Sequence, residues 1–323
     1  MTNAMEYDNR SRDAVTGYYY FKFFDKNTES DKLYRFYVER DDIEYCCHPW
    51  KDNDGFLTTI NVWWNRYVLG HNEGKGDGTE ILRELVEKYI RKDLLKEKAL
   101  AGDFNIKYFA LENDEDGYDY KATYIGWDKA EHEYYIQYGD EGLIEDILNS
   151  LANNEMMILL QTHATESIAI MPVFVYEHSM ISISTGSYGD PWDSGCAGFA
   201  YIEKDKYEKM CGKDTWDIEL VRQNIEMEVH TYDQYLQGDV YCYWDEEYDV
   251  DTNHFECSES CGSFYSDNWG EELAMELVND MWHEPEIITE EEAEAFIENA
   301  LEEKAKRDAE DAIMAQCEYG IAI

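Results

Sequence analysis

The chain has 323 residues, 44% of them hydrophobic and 15% aromatic, with 72 acids and 27 bases for a formal net charge of −45. That aromatic content sets it apart from disordered acidic chains, which bury too little apolar surface to fold. The charge excludes binding to an anionic membrane surface and disfavours any activity that must grip nucleic acid directly.

Residues 1–16 read as a flexible polar tail, and Met1 to Arg12 lacks the apolar centre of a secretory signal. No apolar run approaches the roughly 20 residues that span a bilayer. Without an export signal, the eight irregularly spaced cysteines are expected as reduced thiols in a cytoplasm. Two aromatic runs, Tyr18 to Phe24 and Leu33 to Val38, flank the polar turn Asp25 to Asp31 and predict a β-hairpin. Cys46-Cys47-His48 follows; adjacent side chains on a strand point to opposite faces, and no second ligand pair sits at zinc spacing. Gly70 to Gly78 holds four glycines and Lys75 but fits no phosphate-loop pattern and carries two acids, so it reads as a flexible loop. Asp77 or Thr79 then caps a helix expected to run to about Leu100, with Gly102 as its stop.

Strands are expected over Phe104 to Leu111, Tyr118 to Trp127 and Glu133 to Tyr138. The acidic loop Glu112 to Gly117 lacks the twelve-residue calcium spacing and reads as a hairpin turn. Asp140 to Leu151 predicts a short amphipathic helix, and a domain boundary is expected at 139/140. Ile168 to Tyr176 and Met180 to Ser184 predict a second hairpin, in which Pro172 signals an edge or a bulge. After the loop Gly186 to Gly195 come a strand Cys196 to Ile202 and a helix Lys204 to Cys211. A longer helix, capped by Thr215, is expected to reach Leu236 with Gly238 at C′. Val240 to Trp244 reads as a strand, Asp245 to Asn253 as a turn, and Phe255 opens a return strand. Helices follow from about Asn268 to Trp282 and, after Pro285, from a Thr289/Glu292 capping box to about Cys317. No repeat of 20–50 residues is visible. The expected architecture is α+β, with mixed or antiparallel sheets and helices packed on one face, in two domains: 17–139, and an acidic 140–323 ending in a long helix.

The most unusual stretch runs from Gln223 to Glu303, 81 residues without a Lys or Arg and with 25 acids. A folded surface normally mixes both signs because one-sign surfaces repel themselves. The charge is concentrated in the second half: residues 130–303 hold 42 acids and 5 bases, a net of −37. On the terminal helix Glu290, Glu291, Glu294, Glu298 and Glu302 are spaced to form a line of charge, comparable to but sparser than duplex DNA. Asp245, Glu246, Glu247, Asp249 and Asp251 cluster at the expected turn and extend that line, so the distinctive acidic surface is expected to start near Asp245.

Catalytic signals are weaker. Trp192-Asp193-Ser194-Gly195 is not a nucleophile elbow, although His178 and Asp190 lie near enough in sequence to complete a triad. A tight turn with Trp192 in the core is the simpler expectation. Cys257 and Cys261 with His254 lack a second ligand pair, so no metal or cofactor is expected.

From Pro172 to Tyr241 the chain resembles a family of uncharacterised phage and mobile-element proteins of Gram-positive bacteria. The resemblance rests on Val173 to His178, Ile181 to Thr185, and Pro191-Trp192-Asp193-Ser194-Gly195 with Gly198-Phe199 and Tyr201. It resumes with Tyr232 to Leu236 and Gly238 to Tyr241, covering about seventy residues in all. It implies a phage or mobile-element source and a shared α+β core, and supplies no catalytic residue. Composition and resemblance together give the expectation of a non-enzymatic inhibitor acting by DNA mimicry or by occluding a basic surface. Its partner would be a host defence protein with a basic DNA- or RNA-binding surface, of restriction–modification, CRISPR or Gabija type, with no direct nucleic-acid or membrane contact. The Tyr-rich first domain is a source of contacts for a homo-oligomer. The alternatives are an enzyme acting on a small molecule or nucleotide through the Asp193-Ser194 loop or the Cys257/Cys261 region, and a phage accessory protein whose acidity serves only solubility.

Overall fold

The computed structural model describes residues 17–42, 46–63, 68–72, 77–112, 115–178, 180–190, 192–267, 271–281 and 286–320. Among them are eight helices and twelve strands, and every strand pairing is antiparallel, so the fold is α+β. The expected tail 1–16, Lys75 and its neighbours, Pro191, Trp282 and Pro285 lie outside the described residues. The chain divides into two compact units: residues 1–48 with 234–323, and residues 49–233.

The first unit is built on a five-stranded sheet, ordered β11-β10-β2-β1-β12. The expected hairpin forms β1 (Tyr18–Asp25) and β2 (Ser30–Arg40), closed by the Asp25 side chain, which accepts from the Asn27 amide at 2.8 Å. β10 (Val240–Asp249) and β11 (His254–Tyr265) extend the sheet on one side, and the short β12 (Glu286–Ile288), which the sequence did not signal, extends it on the other. β10 continues five residues past Trp244, so Asp245 to Asp249 form strand rather than turn. Tyr34, Phe36 and Val38 pack with Ala274 and Val278 of α7 (Glu271–Met281), whereas Leu33 packs with Ala293 and Phe296 of α8 (Glu290–Gly320). Successive strand residues face opposite ways, so α7 and α8 cover opposite faces of the sheet. The Thr289/Glu292 capping box forms as expected: the Glu292 amide donates to Thr289 Oγ1 at 3.2 Å, and Glu292 accepts from the Thr289 amide at 2.8 Å.

The second unit holds a four-stranded sheet, β3-β9-β7-β8, and a three-stranded sheet, β4-β5-β6. The strands are β3 (Thr59–Val62), β7 (Ile168–His178), β8 (Met180–Ser184) and β9 (Ser194–Glu203), then β4 (Lys107–Ala110), β5 (Tyr120–Ile125) and β6 (Glu131–Ile136). Its helices are α1 (Gly78–Tyr89), α2 (Lys92–Ala101), α3 (Gly139–Ser150), α4 (Asn153–His163) and α5 (Lys204–Cys211), with α6 (Ile218–Gln237) running across the division at 233/234. The long helix expected to end at Leu100 is two helices. Ile90 is extended and buried, and the break lets Leu82 and Val86 of α1 and Leu95 and Ala99 of α2 enter one core. Gly102 stops α2 in the left-handed conformation, as expected. Helix α4 was not anticipated; Met156, Met157, Leu159 and Leu160 give it an apolar run with too little polar contrast for periodicity to detect.

Pro172 sits in β7 beyond the reach of β8, next to a register shift against β9, which satisfies the expectation of an edge or a bulge. Gly198 is forced by contact: a Cβ there would lie 2.2 Å from the Asn61 carbonyl oxygen of the paired strand. Residues 168–170 and 197–200 are buried consecutively, so both faces of the four-stranded sheet are covered. The one-face arrangement expected from sequence fails for the five-stranded sheet and holds for the three-stranded one, where Tyr108, Tyr120 and Ile136 join the helical core and Phe109 and Tyr135 are exposed on the other face. Asp217, not Thr215, caps α6, accepting from the Glu219 and Leu220 amides at 3.0 and 3.3 Å. Gly238 ends it in a Schellman motif, with the Gly238 and Asp239 amides on the Tyr235 and Gln234 carbonyls.

The place expected for a domain boundary, 139/140, is bridged instead. Asp140 binds Lys96 at 2.7 Å and accepts from the Tyr120 hydroxyl. Asp146 accepts from the Tyr108 and Tyr134 hydroxyls at 2.9 and 2.7 Å, fixing α3 to the β4-β5-β6 sheet. These contacts make α3 part of the same core as the strands before it.

Candidate partner-binding surface

The ten carboxylates singled out in the sequence separate into two groups. The first five belong to the β10–β11 hairpin and are largely taken up inside the first unit. Asp245 is 2% exposed, and its Oδ2 accepts from Ser258 Oγ at 3.0 Å while Oδ1 has no hydrogen-bond partner. Burial drives its pKa up to about 6, and the neighbouring Glu259, Glu247 and Glu246 push the same way, the Ser258 hydrogen bond opposing. Glu246 pairs with Arg35, whose Nε and Nη2 lie 2.7 and 2.6 Å from one carboxylate oxygen. That guanidinium also stands over the rings of Phe255 and Tyr18, 4.2 and 5.1 Å from their centroids. Glu247 pairs with Lys32 at 2.7 Å and accepts from the Tyr34 hydroxyl at 3.3 Å. Asp249 shapes the hairpin turn, accepting from the Asp251 amide at 2.8 Å, and this bond leads the causes that hold its pKa below the usual range. Asp251 meets Lys304 at 2.9 Å.

These contacts correct the reading of an unneutralised run. The 81 residues contain no base, but β2 and α8 carry Lys32, Arg35, Arg40 and Lys304 to Glu247, Glu246, Asp239 and Asp251. A surface starting at Asp245 is therefore not what the structure presents.

The second group remains outward. Glu290, Glu291, Glu294, Glu298 and Glu302 are all exposed on α8, while Ala293, Phe296, Ile297 and Ala300 turn toward the sheet. At 1.5 Å rise per residue, Glu290 to Glu302 covers about 18 Å, roughly one charge per 4 Å of helix. Lys306 lies 3.9 Å from Glu302 with both side chains mostly exposed, a pair of little energetic weight. Beyond Lys304 the helix is exposed on every side as far as residue 315. A second line was missed in the sequence: Glu272, Glu276 and Asp280 recur every fourth residue on α7 and are exposed on the other side of the sheet. The i, i+4 spacing of those three acids was a legible signal.

Between α8 and the ends of β2, β10 and β11 lies a groove of about 900 Å³, lined by Lys32, Leu33, Glu247, Phe296, Glu303 and Arg307 among others.

The chemistry considered as an alternative finds a different setting. Asp190 closes the loop as an Asx turn, accepting from the Trp192 and Asp193 amides at 2.8 and 3.2 Å. Ser194 Oγ donates to the Asp190 carbonyl, which occupies its proton. Trp192 is 91% exposed, so it does not plug the core as expected. Cys257 and Cys261 are exposed free thiols, as is Cys47. Among the described residues no three His, Cys, Asp or Glu side chains are grouped to hold a metal ion. No helix among them is long and apolar enough to cross a membrane.

Comparison with known proteins returns no matching family model, no matching curated protein and no matching solved structure.

Proposed function

We propose that this protein is a phage-encoded, non-enzymatic inhibitor that occupies a basic nucleic-acid-binding surface of a host defence protein. The observation that carries the reading is the exposed line Glu290, Glu291, Glu294, Glu298 and Glu302 on α8. It belongs to a unit with 36 acids and 10 bases, a net of −26 over residues 1–48 and 234–323. Carboxylates held on a folded helix require no backbone ordering on binding and displace counterions from a cationic channel as a phosphate backbone does. The phage source rests on the sequence resemblance of residues 172–241. Restriction–modification, CRISPR and Gabija-type nucleases all offer surfaces of the required charge.

Affinity capture from host lysate at low and high salt tests the reading. A nucleic-acid enzyme retained at low salt and released at high salt supports it; recovery of none sinks it. Replacing Glu291, Glu294 and Glu298 together by Lys is expected to abolish capture while leaving the unfolding temperature unchanged. Capture unaffected by that variant would place the interface away from α8.

A further inference from the structure

β11 is an edge strand of twelve residues, and residues 256–261 are exposed on both of its faces. An edge of this kind presents a row of backbone donors and acceptors to any chain that can lie beside it. Two register shifts against β10 place the extra residues on β11: Tyr243↔Cys261 follows Tyr241↔Phe264, and Glu246↔Cys257 follows Asp245↔Glu259. The second shift frees Ser258 from the ladder, and its hydroxyl reaches the Asp245 carbonyl at 2.9 Å as well as the Asp245 carboxylate.

The charge on this edge selects its occupant. Glu256 stands opposite Glu247, and Glu259 opposite Asp245, so like charges face each other across the two strands. Lys32 already pairs with Glu247 and Asp245 is buried, so the exposed Glu256 and Glu259 are the members of these pairs that face a chain laid alongside. Asp245 is buried directly behind the edge with one oxygen lacking a hydrogen-bond partner, which adds to the negative field. A second copy of this chain would bring Glu256 and Glu259 against their equivalents, whereas an extended basic segment meets them with opposite charge. The α8 groove adjoins the same strand at Glu256, Cys257 and Ser258; its lining holds Lys32 and Arg307 but more carboxylates than cations, and Phe296, Ala300 and Glu303 suit the stem and head of a long cationic side chain.

We infer that β11 takes an extended, lysine- or arginine-bearing segment of a partner protein as an additional strand, with alternate side chains entering the groove beside α8. This deepens the proposed function, because it rests on a basic protein partner, but it uses a different element from the α8 line. Main-chain hydrogen bonds supply affinity and the groove supplies side-chain selection.

The test uses the full chain and a labelled ten-residue peptide of alternating Lys and Val, followed by fluorescence anisotropy and by amide hydrogen exchange. Binding is expected, with slowed exchange confined to the amides of residues 256–261. Methylating every backbone nitrogen of the peptide keeps its charge and is expected to weaken binding at least about tenfold. The double variant Glu256→Lys, Glu259→Lys is expected to weaken it by a similar factor, and Glu291→Lys, Glu294→Lys, Glu298→Lys to leave peptide-induced protection of β11 in place. Equal affinity for the methylated peptide, or unchanged exchange in residues 256–261, overturns the inference even where salt-sensitive capture of a nuclease succeeds. Concentration-dependent dimerisation that protects the same amides also overturns it, making a second copy the occupant. Protection of β11 by the peptide together with failed nuclease capture upholds the strand addition and rejects the defence partner.

Discussion

In residues 49–233, three carboxylates each tie distant backbone segments. Glu228 accepts from the Leu57 and Thr58 amides at 2.8 and 2.6 Å, and Asp233 from the Ile183 amide at 2.7 Å and the Ser182 hydroxyl at 3.2 Å. Glu155 accepts from the Asn105 and Ala152 amides at 2.7 and 2.9 Å. In the unit formed by 1–48 and 234–323, the sheet neutralises Glu246 and Glu247 with cations, while Glu290, Glu291, Glu294 and Glu298 of α8 are exposed to solvent. The difference teaches that acidity alone does not mark a functional surface. An acid that satisfies a backbone amide or a facing guanidinium is architecture, and only one that faces water without such a partner is left for a second molecule.

The comparison breaks first at Glu228. Glu228→Ala leaves two part-buried amides without their acceptor, and a loss of about 3 kcal/mol in unfolding free energy is expected by denaturant titration. Next, Arg35→Ala removes the pair with Glu246 and the contacts over Phe255 and Tyr18, for an expected loss of about 2 kcal/mol. Arg35→Lys should recover only part of this, since an ammonium cannot reproduce the planar stacking.

Asp245 sharpens the contrast with a pH dependence. Its folded pKa of about 6 exceeds the usual carboxylate value, so the folded state binds more protons than the unfolded state between about pH 4 and 6. Its contribution to stability is complete below pH 4 and is lost as pH rises through 6. Asp245→Asn is expected to raise stability by about 1 to 2 kcal/mol at pH 7, to leave it unchanged at pH 3.5, and to flatten the slope between. A variant no more stable at pH 7 would show that the carboxylate is satisfied when ionised. The smallest effect belongs to α8: Glu294→Gln with Glu298→Gln should shift stability by less than about 0.5 kcal/mol while reducing the salt dependence of partner capture.

Much of the secondary structure was legible. Turn chemistry at Asp25 to Asp31, glycine stops at Gly102 and Gly238, and the Thr289/Glu292 box are local signals, and local hydrogen bonding realised them. Helix α4 and strand β12 were not legible. The first lacks polar contrast, and the second is three residues held by pairing with Tyr20 to Lys22, some 265 residues earlier in the chain. The α8 half of the candidate surface was legible because helical periodicity fixes which residues face outward.

By itself the sequence determined that the chain folds, that it is α+β, and that its acidity is concentrated late. Those properties depend on composition and on spacings of a few residues. Only the tertiary structure decided which acids are available. Pairing β10 with β2 set Glu246 and Glu247 against Arg35 and Tyr34, more than 200 residues away, and extended the strand that local signals ended at Trp244. No local pattern encodes that register, because it is fixed by which apolar faces of distant strands are buried together.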